Sequence, residues 1–194
     1  QPIYLNSKFG PFCIVTSGFV ENADELAKGL LAKGISFSEV GKRFVNTSEL
    51  IAKLINQGDS ITEGIEKMFS VIEGSCSLLL LHQDGIYAAR DRLGYTPLTV
   101  GRSDEAWAVT AETCAFSNNG FEAVKNIAPG EIVLINESGM QQKKAGLKAN
   151  QICAFLWIYT GFPSSDYEGI NTEIVRERCG RYLAKYDKDI EIDL

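Results

Sequence analysis

The charged pair Arg90-Asp91 is the first feature of the sequence whose residue types could do chemistry. It follows a β-prone run and leads into a turn that Gly94 and Pro97 interrupt, so the pattern places two charges between strands expected to be buried. One interpretation is direct participation in catalysis. The interpretation we favour is a structural pair whose guanidinium and carboxylate hold the loop in place.

Cysteine and histidine side chains are the other reactive groups: Cys13, Cys76, Cys114, Cys153, Cys179 and the single His82. The cysteines are odd in number and scattered, which favours buried thiols in a reducing compartment. Cys13 lies in an apolar strand pattern, so we expect a core thiol and not a nucleophile. His82 precedes a hairpin turn and is expected at the surface. One histidine among scattered carboxylates builds no metal-hydrolase site.

The elements that position these groups follow from the apolar pattern. Leu78 to Leu81 and Ile86 to Ala89 are β-prone runs joined through Asp84-Gly85, which predicts a hairpin because Asp-Gly supplies the positive φ of a tight turn. The pattern also predicts a hairpin of 1–4 with 12–15, a loop over 16–22 with Asn22 as an N-cap, helices over 23–31, 50–56, 61–74 and 174–185, a short helix after 112–116, and strands at 35–37, 98–100, 107–110, 131–135, 138–150 in part, and 153–159. Successive hairpins with helices between them favour an α+β domain.

Composition excludes several classes of protein. The 194 residues are 45% hydrophobic and 23% charged, as in an ordinary globular protein, and the net charge of −6 argues against nucleic-acid binding. No apolar run approaches the roughly 20 residues of a membrane span, and the start of the chain lacks a signal-peptide pattern, so we expect a cytoplasmic protein.

The character of the sequence changes at Gln151, which predicts one domain over 1–150 and the start of a second over 151–194, cut short at Leu194.

A family resemblance lies in residues 88–98, which read Ala-Ala-Arg-Asp-Arg-Leu-Gly-Tyr-Thr-Pro-Leu. They resemble the Arg-Asp-x-x-Gly-x-x-Pro-Leu signature of class II glutamine amidotransferases. Residues 1–6 and 127–133 resemble segments of one member family, the amidophosphoribosyltransferases. Residues 153–180 are similar to that family's junction between its glutaminase and phosphoribosyltransferase domains. The resemblance covers essentially the whole chain.

This resemblance implies a fold and a reaction. The fold is an αββα layered sandwich of the N-terminal-nucleophile hydrolase type, incomplete at its N-terminus here, followed by the start of an α/β phosphoribosyltransferase domain. The reaction moves ammonia from glutamine onto C1 of phosphoribosyl pyrophosphate, for purine synthesis. A cysteine at the mature N-terminus is the family's nucleophile, with its own α-amino group as the base. The resemblance also implies a homo-oligomer, small-molecule substrates and Mg²⁺ in the transferase domain.

The sequence departs from the family pattern at the glutamine site. The family's oxyanion loop His-Asn-Gly-Asn corresponds to residues 16–19, so Gly18 is kept and Ser17 stands at the asparagine position. Loss of one such donor costs about 100- to 1,000-fold in rate. Thr47 stands where the family's Asp holds the glutamine ammonium, and Gln1 is no nucleophile. These departures leave two hypotheses open: an amidophosphoribosyltransferase-like enzyme, or a degenerate glutaminase domain with a structural or regulatory role.

Cys153 has a second interpretation through the same resemblance. Some amidophosphoribosyltransferases bind a structural [4Fe-4S] cluster whose first ligand lies at the start of the junction strand, with three more further downstream. A cluster needs four thiolates, so this one cysteine would be one ligand of a set that the chain does not contain. An unliganded core cysteine is the alternative, which we favour.

Overall fold

The computed structural model describes residues 2–38, 45–148 and 150–187. These residues fall into two compact units, Gln1–Leu98 with Ile127–Ile152 and Thr99–Asn126 with Cys153–Leu194. The domain boundary that the sequence predicts at residue 150 stays a prediction. No helix among the described residues has the length and apolar character needed to cross a membrane.

Strands and helices occur in a mixed order along the described chain. The strands are β1 (Ile3–Ser7), β2 (Gly10–Val20), β3 (Gly74–His82), β4 (Gly85–Ala89), β5 (Thr99–Arg102), β6 (Trp107–Thr110), β7 (Glu122–Asn126), β8 (Ile132–Asn136), β9 (Gly139–Lys144), β10 (Asp166–Tyr167) and β11 (Ile170–Asn171). The α-helices are α1 (Ala23–Ala32), α2 (Thr47–Ile55), α3 (Ile61–Val71), α4 (Cys114–Asn119) and α5 (Thr172–Leu183), and Leu156–Thr160 forms a π-helix.

A six-stranded antiparallel sheet in the order β1-β2-β3-β4-β8-β9 organises the first unit. Its centre is the predicted hairpin, in which Leu81 pairs with Ile86 and His82 with Gly85. The hairpin is confirmed, and Gly85 supplies the positive φ of +128°. Gln83 and Asp84 are the two residues between the paired ends. The sheet thereby places the start of the Arg90-Asp91 loop directly after β4.

Helices α1, α2 and α3 pack their apolar residues with one set of strand residues to form the core. Leu50, Ile65 and Leu80 are each 0% exposed in this cluster. The helix periodicity predicted for 23–31 and 61–74 is confirmed, with α3 ending at Val71. Helix α2 begins at Thr47, earlier than predicted, because the Asn46 side chain accepts from the Ser48 and Glu49 N–H groups and caps it there.

Several local predictions in the first unit are wrong. The segment 16–20 is no loop, because β2 continues to Val20 in register with β3. Asn22 is the N-cap residue of α1 as predicted, but its side chain makes no cap hydrogen bond; the side-chain amide donates to Val71 O and the side-chain carbonyl accepts from Glu73 N–H. Residues 35–37 form no strand in the structure. For β2 and for the Asn22 side chain a distant segment, not the local pattern, decides the conformation.

The histidine and cysteine predictions also need correction. His82 is only 8% exposed, because its Nε2–H donates to the Phe9 carbonyl at 2.9 Å in the turn between β1 and β2. Cys13, expected in the core, is half-buried on the sheet face away from α1, α2 and α3. Of the five thiols, Cys76 alone is buried and Cys179 is exposed.

The second unit contains a three-stranded sheet in the order β6-β5-β7. Phe116 of α4 lies against Gly101 of β5, where an added Cβ would come within 2.5 Å of the ring. The run 153–159, predicted as a strand, contains the start of the π-helix, so that prediction is wrong. Helix α5 confirms the helix predicted over 174–185. The alternating apolar pattern of residues 189–194 also predicts the start of a strand, and these residues lie outside the described part of the chain.

Candidate functional site

The Arg90-Asp91 loop is fixed by its carboxylate. Four backbone N–H groups donate to the two Asp91 oxygens at 2.9 to 3.2 Å, those of Leu93, Gly94, Tyr95 and Thr96. The Ser77 hydroxyl lies 3.2 Å from Oδ2 as a fifth possible donor. A carboxylate offers about four lone-pair sites, so the loop itself occupies them all. Asp91 is 1% exposed, and its role is to set the shape of the loop.

Arg90 holds the same loop from the other side. It is 0% exposed, and its guanidinium donates to the Ile127 carbonyl at 2.8 Å and to the Gly94 carbonyl at 2.7 Å. Its backbone N–H also donates to Glu131 O. Both partners of the pair therefore serve the loop and the segment before β8. The prediction of a loop-pinning pair is confirmed by these contacts.

Ser77 connects this loop to the strand that carries the predicted oxyanion residues. Its hydroxyl accepts from the Asp91 N–H at 3.0 Å and lies 3.1 Å from the Thr96 carbonyl. In the β2–β3 register Ser77 stands directly opposite Ser17. Residues opposite each other on antiparallel strands share a face of the sheet. Ser17 is exposed on that face, whereas Ser77 is 1% exposed.

Gly18 lies in β2 against the backbone of β3, with no room for a side chain. Its φ is +139°, and a Cβ added there would lie 2.1 Å from the Ser75 carbonyl oxygen. Only glycine fits this conformation and this spacing. The neighbouring Ser75 hydroxyl is buried and has no hydrogen-bond partner among the described residues. The geometry explains why Gly18 is required whatever its part in catalysis.

Thr47 is the first residue of α2, in the turn capped by Asn46. The helix start is tied to β2 by a hydrogen bond of 2.7 Å between the hydroxyls of Thr16 and Ser48. The structure therefore brings the segment of Ser17 and Gly18 next to the segment of Thr47. A helix N-terminus carries a partial positive charge. It does not by itself favour a substrate ammonium.

Glu49 is the carboxylate nearest in sequence to Thr47, and its Oε1 already has hydrogen-bond partners. It is 2% exposed, and its Oε1 accepts from the Ser38 N–H at 2.8 Å and the Ser38 hydroxyl at 3.0 Å. The Lys53 ammonium lies 3.3 Å from the same oxygen. Glu49 fixes the start of α2 and does not replace the carboxylate that position 47 lacks.

Cys76 lies opposite Gly18 in the register but is no candidate nucleophile. Burial, reinforced by the nearby Asp91 charge, raises the pKa of the Cys76 thiol to about 12. Because the thiolate is the reactive form, this thiol stays inert near neutral pH. The described part of the chain also contains no group of three or more His, Cys, Asp or Glu side chains that could hold a metal ion.

A [4Fe-4S] cluster does not fit the described residues, because it needs four thiolates and Cys153 stands without a cysteine-rich group around it. Cys153 is half-buried just before the π-helix. Its role as one ligand of a larger set stays a prediction, and so does magnesium binding.

A family model described as a glutamine amidotransferase domain matches residues 1–118. The chain belongs to the glutamine amidotransferase domain family. The amidophosphoribosyltransferase of Methanocaldococcus jannaschii is 31% identical to it over 201 residues, which are 95% of this chain and 42% of that relative. The chain thus spans less than half the length of this relative.

Two solved structures extend the likeness to the whole chain. The first, a glutamine phosphoribosylpyrophosphate amidotransferase from B. subtilis complexed with ADP and GMP, matches with a TM-score of 0.85 at 27% identity and covers 100% of this chain and 42% of its own. The second, described as the allosteric regulatory enzyme of purine biosynthesis, matches with a TM-score of 0.88 at 28% identity over 100% of this chain and 41% of its own. The predicted resemblance and the N-terminal-nucleophile hydrolase type of fold are confirmed.

Within this glutamine amidotransferase domain, the roles predicted for Ser17, Gly18 and Thr47 remain predictions. Sequence reasoning missed Ser75 and Ser77, the hydroxyls that adjoin the Gly18 approach and the Asp91 loop. A signal was present, because two serines at alternate positions of an otherwise apolar strand mark one polar face.

Proposed function

We propose that the protein is amidophosphoribosyltransferase-like and takes part in glutamine-dependent amination of phosphoribosyl pyrophosphate to 5-phosphoribosylamine, for purine synthesis. One observation carries the proposal: the likeness to amidophosphoribosyltransferases extends past the amidotransferase match at 1–118 through the junction segment, to 100% of the chain in the structural comparison. An amidotransferase domain attached to a different synthase would share only the first part.

In this proposal the chain supplies framework and oxyanion groups. The Asp91 loop fixes β3, and β3 fixes the close approach of Gly18, whose backbone N–H is the proposed donor to the tetrahedral oxyanion. Ser17 is the second proposed donor. Its side chain is shorter than asparagine, so we expect slower glutamine hydrolysis than with an asparagine at that position.

The test compares two nitrogen sources on the intact protein. Phosphoribosylamine formation is measured with glutamine and, separately, with an ammonium salt at high pH. The proposal expects product with glutamine as well as with ammonium. Absence of product with glutamine, in a protein that is folded by circular dichroism, would refute it.

A second candidate function is a glutaminase-inactive domain that serves a structural or regulatory role. Thr47 motivates it, because a hydroxyl cannot form the charge-assisted bond that a carboxylate gives to an ammonium. Glu49 is no substitute for it, since it is 2% exposed and its Oε1 already accepts from Ser38 and faces the Lys53 ammonium. The expected result is ammonia-dependent product without glutamine hydrolysis. Glutamine turnover that supports product formation would rule this candidate out.

Cytoplasmic localisation and a homo-oligomer also belong to this proposal. The oligomeric state is checked by light scattering of the intact protein, where a monomer would remove the homo-oligomer from it.

A further inference from the structure

The two serines of β3 differ in their hydrogen bonds. Ser75 and Ser77 occupy alternate positions of the strand, so both side chains lie on the face of the sheet away from α1, α2 and α3. The Ser77 hydroxyl accepts from the Asp91 N–H at 3.0 Å and lies 3.1 Å from the Thr96 carbonyl. The Ser75 hydroxyl oxygen is buried without a hydrogen-bond partner among the described residues. The strand thus carries one satisfied and one unsatisfied hydroxyl.

An unsatisfied buried hydroxyl is unfavourable for folding. In the unfolded chain the Ser75 hydroxyl is bonded to water, and among the described residues no group replaces those bonds. Most buried polar side chains of native proteins have a partner, so an exception calls for an explanation. An alanine would fill the same place in β3 without this loss. The described fold therefore gains nothing from the hydroxyl of Ser75.

Ser75 lies beside the proposed oxyanion residues. In the register of β2 with β3, it pairs with Phe19 and is diagonal to Ser17. Residues at such diagonal positions are about 7–8 Å apart and share a face of the sheet. Gly18, between Phe19 and Ser17, is held against the backbone of Ser75, since an added Cβ would lie 2.1 Å from the Ser75 carbonyl oxygen. The unsatisfied hydroxyl and the two proposed donors therefore belong to one small region of the sheet.

Ser17 leaves this region short of one donor. The family resemblance predicts an asparagine at position 17, whose amide nitrogen lies one bond further from the backbone than a serine oxygen. We propose that the Ser75 hydroxyl supplies the missing donor, to the carboxamide oxygen of bound glutamine, beside the proposed Gly18 N–H. The inference rests on the proposed function, because glutamine is the ligand that Ser75 contacts.

A rotation of the side chain is enough to turn the Ser75 oxygen toward a ligand. A serine has three staggered positions about χ1, and the residue keeps 9% exposure in the structure. Its cross-strand partner Phe19 is 73% exposed, so little of the phenyl ring packs against β3. Among the described residues no group competes for the Ser75 hydroxyl, so a bond to glutamine breaks none that the protein already makes. The hydroxyl thus contributes to binding and not to the stability of the free protein.

The test compares Ser75→Ala with Ser77→Ala in the intact protein. Calorimetry should show about 10-fold weaker binding of glutamine to Ser75→Ala, as for one lost hydrogen bond. Thermal denaturation should show no loss in Tm for this variant, because the hydroxyl that it removes has no partner in the free protein. Ser77→Ala is the matched control on the same strand face, and its Tm should fall because the Asp91 N–H loses its acceptor. Product formation with an ammonium salt should be the same in Ser75→Ala as in the unsubstituted protein.

Three outcomes overturn the role of Ser75. One is an unchanged dissociation constant for glutamine in Ser75→Ala, and another is a Tm that falls as far as in Ser77→Ala, which would make the hydroxyl a structural group. The third is an unsubstituted protein that does not bind glutamine, since Ser75 then has no ligand to contact. Failure of the proposed function is read separately, from the absence of product with glutamine in the unsubstituted protein. Product formed with glutamine, together with full glutamine affinity in Ser75→Ala, removes the role of Ser75 alone.

Discussion

The Asp91 loop and the start of α2 differ in whether they keep a carboxylate that the family pattern predicts. Asp91 receives four backbone N–H groups from its own loop and has its oxygens filled. Position 47, where the family resemblance predicts a carboxylate that faces substrate, holds a threonine. Asp91, whose partners belong to the fold itself, thus matches the family pattern. The departure from the family pattern is at Thr47, whose proposed partner is a ligand.

Removal of the Asp91 carboxylate is the change with the largest expected effect. Asp91→Ala leaves four buried or half-buried backbone N–H groups without their carboxylate acceptor, so we expect a loss of about 3–5 kcal/mol in the free energy of unfolding. Urea denaturation measures it. Asp104→Ala, at an exposed aspartate, is the control and should change stability by less than about 0.5 kcal/mol. A loss below about 1 kcal/mol in Asp91→Ala would contradict the framework role.

The next largest effect is expected at Gly18, in the strand that carries the proposed oxyanion residues. Gly18→Ala forces a Cβ to 2.1 Å from the Ser75 oxygen at a φ of +139°. We expect a loss of about 2–3 kcal/mol from the combined strain and displacement of β2. The matched variant is Gly29→Ala in α1, where the added Cβ meets open space. There alanine should stabilise by about 0.5–1 kcal/mol, as in a helix interior. Equal thermal shifts in the two variants would show that the close approach of β2 to β3 does not constrain this position.

A carboxylate introduced at position 47 tests whether the difference between Asp91 and this position affects glutamine binding. Thr47→Asp should raise the affinity for glutamine about 10-fold or more, because a charge-assisted bond contributes about 1.5–3 kcal/mol. Calorimetry on the intact protein measures the dissociation constant. Thr47→Asn is similar in size but uncharged, and it should bind as the unsubstituted protein does. The same gain in both variants would mean that charge at this position is not what the site lacks.

The smallest effect is expected at the cap that holds Thr47 in place. Asn46→Ala removes the acceptor for the Ser48 and Glu49 N–H groups and should cost about 1 kcal/mol. Asn46→Ser keeps a capping oxygen and should lose only a fraction of this. Thermal denaturation compares the two. A serine variant as unstable as the alanine variant would show that the cap is not the source of the loss.

Much of the fold was predictable because it depends on residues that are close together in the sequence. The Asp-Gly turn and the apolar runs beside it predicted the central hairpin, and helical spacing predicted α1 and α3. The wrong predictions depend on distant partners. Strand β2 runs on to Val20 because β3 pairs with it, and His82 is buried because the Phe9 carbonyl accepts from it. The apolar run 153–159 enters a π-helix in which Trp157 has distant partners: the Arg176 guanidinium donates to its carbonyl, and its indole N–H donates to the Ile170 carbonyl.

The candidate site was predictable only in part, for a similar reason. The Arg90-Asp91 motif indicated a pinned loop, but the sequence could not show that Ser77 joins this loop to the strand of Ser17. That connection exists only in the register of β2 with β3. The sequence also gave no sign that Glu112 accepts hydrogen bonds from the Ser165 and Tyr167 hydroxyls, because these partners lie 53 and 55 positions further along the chain.

The burial of Cys76 also has a consequence for oxidation. A thiol with a pKa of about 12 exposes almost no thiolate to peroxide or air at neutral pH. Cys179 lies exposed on α5 and is open to a thiol of a second molecule. Storage without reductant would therefore join copies of the protein through Cys179 and leave the strand beneath Gly18 chemically unchanged.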